Sequence, residues 1–169
     1  MSRLIAVSNR VADPATGKTA GGLAVGLLAA LREKGGVWFG WGGKTCRGEP
    51  SDPLVLKRGK ISYATVDIDE AEFDEYYNGY SNGCLWPLCH YMLNFFNYER
   101  RFGVAYQRVN ALFARKLRPM LRDDDVIWAH DYHLIPLAGE LRRAGVENPI
   151  GFFLHVPFPN IDVLRTLPG

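Results

Sequence analysis

The chain has 169 residues and a hydrophobic share of 47%, enough for one well-buried domain. Its 20 Lys and Arg against 18 Asp and Glu leave a net charge of +2 with no basic stripe or single-sign block, which gives no ground for nucleic acid as a partner. The opening apolar run is too short for a signal peptide or a membrane span, and Cys46, Cys84 and Cys89 read as free thiols, so the expectation is a cytoplasmic protein without a membrane partner.

Residues 4–8 are almost wholly apolar and stop at Asn9-Arg10, the pattern of a strand buried on both faces of a parallel sheet. After a Gly, Thr and Pro loop, Gly22 opens a helix with Leu23, Leu27, Leu28 and Leu31 on one face, closed by Gly35-Gly36. Residues 37–41 read as a second strand, and 54–58 and 61–67 as a hairpin around Gly59. Asp69 starts an acidic helix, and the aromatic stretch 76–102 holds short helices without a clear period. Residues 104–121 predict an amphipathic helix with Val109, Leu112, Phe113, Leu117 and Met120 buried, bent or ended at Pro119. A strand at 125–129, a helix at 132–144, a strand at 149–154 and a last helix capped by Asn160 complete the chain. The order β-α-β-β-β-α-α-α-β-α-β-α predicts an α/β fold: a Rossmann-like, mainly parallel sheet with helices on both faces.

Ligands of open α/β sheets bind outside the carboxyl ends of the strands. Those ends carry Arg10, Trp41, His130-Asp131 and His155, so an Arg, a Trp, an Asp and a His gather on one edge. Gly21-Gly22 sits at the mouth of the first helix, where free N–H groups suit a phosphate, although packing or capping explains a glycine there equally well. Gly17-Lys18-Thr19 suggests a P-loop, but Ala12 stands where the pattern needs glycine. His130, Asp131 and His133 lack the spacing of a metal site.

SNR at 8–10, AGGLAVGLLAAL at 20–31, WFGW at 38–41, DEYYNGYSN at 74–82, LWPLCHY at 85–91, RVNALFA at 108–114, WAHDYHLIPLAGELR at 128–142 and IGFFLHVPFP at 150–159 resemble the trehalose-6-phosphate synthase family. Many rare residues recur there in the family's order over nearly the whole chain. The resemblance implies a retaining glycosyltransferase of the GT-B arrangement, with two facing Rossmann-like domains. Such an enzyme moves glucose from UDP-glucose, or a related sugar nucleotide, to glucose 6-phosphate and gives α,α-trehalose 6-phosphate. It needs no cofactor and no metal.

By that resemblance Arg10 pairs with the acceptor phosphate, a contact that suits a guanidinium fork, and Tyr77 adds a hydroxyl to it. Trp41 and Trp86 line the acceptor sugar with their faces while their indole N–H groups donate. Asp131 lies between acceptor and donor sugars, His155 beside the donor glucose, and Gly21 and Gly22 on the loop that approaches the donor diphosphate. The family shows no protein nucleophile in the expected place, so Asp131 is read as an orienting group, with a general-base role as the alternative. Residues 1–169 then form a single acceptor-side domain without the C-terminal nucleotide-binding domain, inactive alone and open to self-association as a homo-oligomer. Two other readings share this fold: a glucosylglycerol-phosphate synthase, and a non-catalytic domain that binds sugar phosphates.

Overall fold

The alternation of the sequence folds into one mixed sheet flanked by helices. This computed structural model describes residues 2–12 and 22–167. The strands are β1 (Leu4–Arg10), β2 (Gly36–Cys46), β3 (Leu54–Arg58), β4 (Ile61–Asp69), β5 (Val126–His130) and β6 (Ile150–Phe153). They lie in the order β3-β4-β2-β1-β5-β6, parallel throughout except for the antiparallel β3-β4 hairpin at one edge. Gly59, with φ +57°, forms its turn.

The α-helices are α1 (Gly22–Lys34), α2 (Glu70–Phe73), α3 (Trp86–Cys89), α4 (Arg100–Leu117), α5 (Leu137–Arg143) and α6 (Ile161–Leu164). Alternate residues of β1 serve opposite layers. Ala6 joins Trp38 and Tyr63 under Leu27, Leu28 and Leu31 of α1. Ile5 and Val7 join Val37 and Phe39 under Val109, Phe113 and Leu117 of α4 and Leu137 and Leu141 of α5. The expected α/β class and the helices on both faces are therefore present.

Four local expectations change. The unparsed stretch after Phe73 is a π-helix over Asp74–Leu85 that runs straight on into α3. Its buried residues include Tyr76 with Ser81 and Gly79 with Cys84, pairs five apart, so a search at 3.6 residues per turn finds no stripe. The following helix begins at Arg100, earlier than expected, and ends at Leu117, where Pro119 turns the chain into a 3₁₀ segment. Residues 132–144 do not form one helix. A 3₁₀ turn over Tyr132–Leu134 comes first, and α5 begins only after Pro136, which cannot donate within a helix. β6 also differs from a doubly buried strand, since Phe152 and Phe153 at the sheet edge are 44% and 51% exposed.

One ion pair closes the opposite end of the sheet. Arg3 leads into β1 and Asp125 into β5, and the guanidinium grips the carboxylate through Nε–Oδ1 at 2.9 Å and Nη2–Oδ2 at 2.7 Å. The Arg122 amide adds a bond of 2.8 Å to Oδ2, and Asp125 is wholly buried. Burial alone would raise the Asp125 pKa, but the Arg3 and Arg122 bonds outweigh it and hold the carboxyl below its usual range. A depressed folded-state pKa gives stability that is present above the unfolded value near 4 and lost as pH falls through the folded value. Asp125→Ala is expected to lower the unfolding free energy by about 2–3 kcal/mol at pH 7, measured by urea denaturation, because Arg3 stays part-buried without its partner. The difference from the parent should shrink below pH 4.

Candidate active site

The strand order reverses at β1, with β2 on one side and β5 on the other. The crevice outside the carboxyl ends at such a reversal is where open sheets hold ligands. Ser8 fixes the end of β1. Its buried Oγ donates to the Arg10 carbonyl at 2.8 Å and accepts from Trp38 Nε1 at 2.8 Å. Asn9 Oδ1 accepts from the hydroxyl of buried Tyr76 at 2.8 Å. With its neighbours anchored, Arg10 projects into solvent at the strand end.

Arg10 heads a column of stacked rings. Its guanidinium carbon lies 5.2 Å from the centre of Trp41, and Trp41 lies 4.4 Å from Phe73. Phe73 stacks on Tyr77 at 5.2 Å and 15°, and Tyr77 on His133 at 5.6 Å and 13°. Tyr132 closes the column 4.0 Å from His133. Gly43 leaves room at its head, since φ is +96° and a Cβ would sit 2.8 Å from Arg10 Nη2. The indole N–H of Trp41 is already bonded to the Lys44 carbonyl at 2.6 Å. This departs from the expectation that the indole N–H is open to a ligand, since here it is taken up by backbone.

After β5 the backbone enters an unusual conformation. Asp131 has φ +76° and ψ 167°, a region used almost only by glycine and costing about 1–3 kcal/mol elsewhere. Its Oδ1 accepts from the amides of Tyr132 at 3.0 Å and His155 at 3.2 Å, and Oδ2 makes no hydrogen bond among the described residues. The next two residues are pinned from outside. The Tyr132 hydroxyl donates to Asn82 Oδ1 at 2.8 Å, and its carbonyl accepts from Tyr106. Asn110 Nδ2, wholly buried on α4, donates to the His133 carbonyl at 3.1 Å. Neither ring nitrogen of His133 has a partner among the described residues, and burial pushes its pKa down to about 3, so the ring is a neutral slab within the stack.

On the other side of Asp131, a recess of 220 Å³ is lined by Gly22, Gly26, Trp128, His130, Phe153 and His155, among others. No heavy atom of the described residues lies within 4 Å of where a Cβ at Gly22 would be, so packing against them does not require glycine there. Gly21 and Gly17-Lys18-Thr19 lie outside the described residues.

The anticipated residues thus form two groups. Arg10, Trp41 and Tyr77 share the column, Asp131 touches His155, and Gly22 faces the same recess as His155. Among the described residues Trp86 stacks on His90 at 4.2 Å, apart from the column, and is about a third exposed. The sequence reading missed Phe73 and the structural part of Tyr132 and His133. Phe73 was within reach, since it lies four residues before Tyr77 on one helical face.

Known proteins resemble this chain over nearly its whole length. The family model described as glycosyltransferase family 20 matches residues 7–169. Trehalose-6-phosphate synthase of Escherichia coli K12 is 53% identical over 170 aligned positions, covering 99% of this chain and 35% of that protein. A crystal structure of an α,α-trehalose-phosphate synthase (UDP-forming) from Burkholderia xenovorans in complex with glucose-6-phosphate superposes with a TM-score of 0.91, 52% identity, and coverage of 99% of this chain and 36% of that one. The E. coli enzyme bound with UDP-2-fluoro glucose gives 0.90 and 51%, with the same coverages. The chain therefore spans about a third of the length of these relatives, and its mostly parallel sheet is the fold of their N-terminal domain.

His133 and His130, whose pKa burial and the nearby His155 lower to about 4, are both neutral in the folded state at pH 5. Unfolded histidines take up protons below about pH 6.5, so folding stability from these two is full above that value and lost as pH falls toward 4 and 3. Between pH 6.5 and 5 each histidine is expected to cost about 1–2 kcal/mol. His133→Phe keeps a flat ring and removes two unpartnered nitrogens. Urea denaturation of this variant at pH 7.5 and 5.0 should show a smaller acid loss than the parent, by about one histidine's share.

Proposed function

Because the chain belongs to glycosyltransferase family 20, we propose that it is the acceptor-binding side of a cytoplasmic, retaining glucosyltransferase. That enzyme transfers glucose from UDP-glucose, or a related nucleotide-glucose, to glucose 6-phosphate and yields α,α-trehalose 6-phosphate. Residues 1–169 act as one acceptor-side domain and a C-terminal domain holds the nucleotide; the chain alone does not turn over. The observation that carries the reading is the column that brings Arg10, Trp41 and Tyr77 together beside Asp131. It sets a cation and a phenol next to apolar ring faces, the chemistry of a phosphate on a sugar.

In this reading the Arg10 guanidinium takes the acceptor phosphate in a forked, charge-assisted contact and Tyr77 adds its hydroxyl. Trp41 presents its ring to the sugar, and Trp86 covers the sugar from the continuous helical run that also carries Tyr77. Gly22 admits the donor diphosphate to the N-terminus of α1, where N–H groups are free to donate. His155 meets the donor glucose in the recess. Asp131 Oδ2 orients the acceptor hydroxyl toward the donor's anomeric carbon. The new glycosidic C–O bond forms as the C–O bond to the diphosphate breaks, on the same face, and the hydroxyl proton passes to the departing diphosphate. Asp131 forms no covalent bond in this step.

Two measurements test the proposal. Titration of glucose 6-phosphate into the chain by calorimetry is expected to saturate, and Arg10→Ala to weaken it at least tenfold, in line with about 1.5–3 kcal/mol for a charged hydrogen bond. Glycerol 3-phosphate binding more tightly would instead favour a glucosylglycerol-phosphate acceptor. Second, a chimera in which these residues replace the matching third of the E. coli relative should form trehalose 6-phosphate from UDP-glucose and glucose 6-phosphate. Asp131→Asn should cut its rate by about 100-fold or more without moving the unfolding midpoint. A folded but inactive chimera, or an unaffected Asp131→Asn rate, would defeat the assignment.

A further inference from the structure

The recess beside Asp131 holds a pair of histidines whose protons can be placed. His130 ends β5, and His155 follows the end of β6, whose Phe153 is the register partner of His130. His130 Nδ1 lies 3.0 Å from His155 Nε2, and the rings stack at 5.3 Å and 28°. His130 is 1% exposed, with Trp128 packed against its ring at 4.2 Å. Its second nitrogen, Nε2, is buried and has no hydrogen-bond partner among the described residues. His155 is exposed, and its backbone amide is held by Asp131 Oδ1 at 3.2 Å.

A nitrogen–nitrogen contact of this length holds one hydrogen, supplied by one ring or the other. If His155 donated, a neutral His130 would carry its own proton on Nε2, leaving a buried N–H without an acceptor. If His130 donates from Nδ1, its Nε2 is a bare lone pair, which a buried site tolerates better than an orphaned N–H. Burial keeps His130 neutral at physiological pH, so the choice lies between these two neutral forms. The second form leaves the smaller defect.

We infer that His130 is a positioning residue: its Nδ1–H donates to His155 Nε2 and locks neutral His155 as the Nδ1–H tautomer, so that His155 meets a ligand in the recess as a hydrogen-bond donor. A histidine side chain left to water favours the opposite tautomer, with the proton on Nε2. The lock therefore converts an exposed imidazole of mixed character into a donor of fixed sense, suited to a sugar hydroxyl or a phosphate oxygen. The consequence for donor glucose rests on the glucosyl-transfer reading; the tautomer itself does not.

The chain has four histidines, His90, His130, His133 and His155, so long-range ¹H–¹⁵N correlation spectra can be assigned by single replacements. In the parent chain at pH 8, without substrate, His130 and His155 are both expected as Nδ1–H tautomers. His130→Phe keeps the ring and removes the donor, and His155 should revert mainly to Nε2–H. His130→Asn places an amide N–H near the original Nδ1 and should restore the Nδ1–H form. Unchanged His90 and His133 signals confirm that a variant is folded. His155 found as Nε2–H in the parent overturns the inference whether or not the variants fold, as does a tautomer that ignores His130→Phe. Because no substrate enters the experiment, its outcome is independent of whether the chimera transfers glucose.

Discussion

Strand β1 has no free edge and no free face. β2 and β5 occupy its edges, α1 and its partners cover Ala6, and α4 and α5 cover Ile5 and Val7. A strand enclosed in this way exposes polar chemistry only where it ends, and it ends where the strand order reverses. Ser8 is the one polar side chain on the enclosed part, and both its donor and its acceptor capacity are used, which avoids the roughly 1–3 kcal/mol cost of a stranded hydroxyl. The pairing beside it depends on Gly40, because a Cβ there would fall 2.1 Å from the Ser8 carbonyl oxygen. The direction in which Arg10 leaves the sheet follows from these contacts.

The rest of the site is held by stacking and by bonds to backbone. Each aromatic pair adds ~0.5–1.5 kcal/mol beyond the area it buries. Three ring contacts lead from Trp41 through Phe73 and Tyr77 to His133, and the Tyr132 and His133 carbonyls are bonded by Tyr106 and Asn110. Together these are of the same order as the ~1–3 kcal/mol that the Asp131 backbone conformation costs. The column therefore does more than present groups to a ligand. It anchors the two residues after Asp131 and so sustains the conformation that puts its carboxylate at the reversal point.

Much of this was legible in the sequence for a simple reason: buried parallel strands are short apolar runs, and their ends show up as abrupt polar residues. Arg10, Trp41, Asp131 and His155 were found in that way, and the α4 stripe came from its 3.6-residue period. The π-helix was not legible, because its buried pairs lie five apart. The Arg3–Asp125 pair was not legible, because its partners lie 122 positions apart along the chain. The sequence also presents His130, Asp131 and His133 as one cluster. In the fold His130 turns to His155, Asp131 to two amides and His133 to the aromatic column, because each position after β5 faces a different layer. Neighbours along a chain that changes direction at every residue need not share a task.

That divergence bears on the chemistry of the central carboxylate. The Asp131 Oδ1 bonds join it to its own turn and to the end of β6, so the carboxylate is held from two sides by backbone rather than by mobile side chains. A nucleophile must travel to form a bond and back again to release it, and a carboxylate clamped by two amides on a strained residue is poorly built for such an excursion. It is well built for staying in place, with Oδ2 left without a hydrogen bond among the described residues. Positioning of this kind is the part of catalysis that a rigid fold supplies best, through near-attack geometry and fixed dipoles that need no reorganisation as charge develops. In the proposed reading, this backbone geometry fits an orienting Asp131 better than a covalent one.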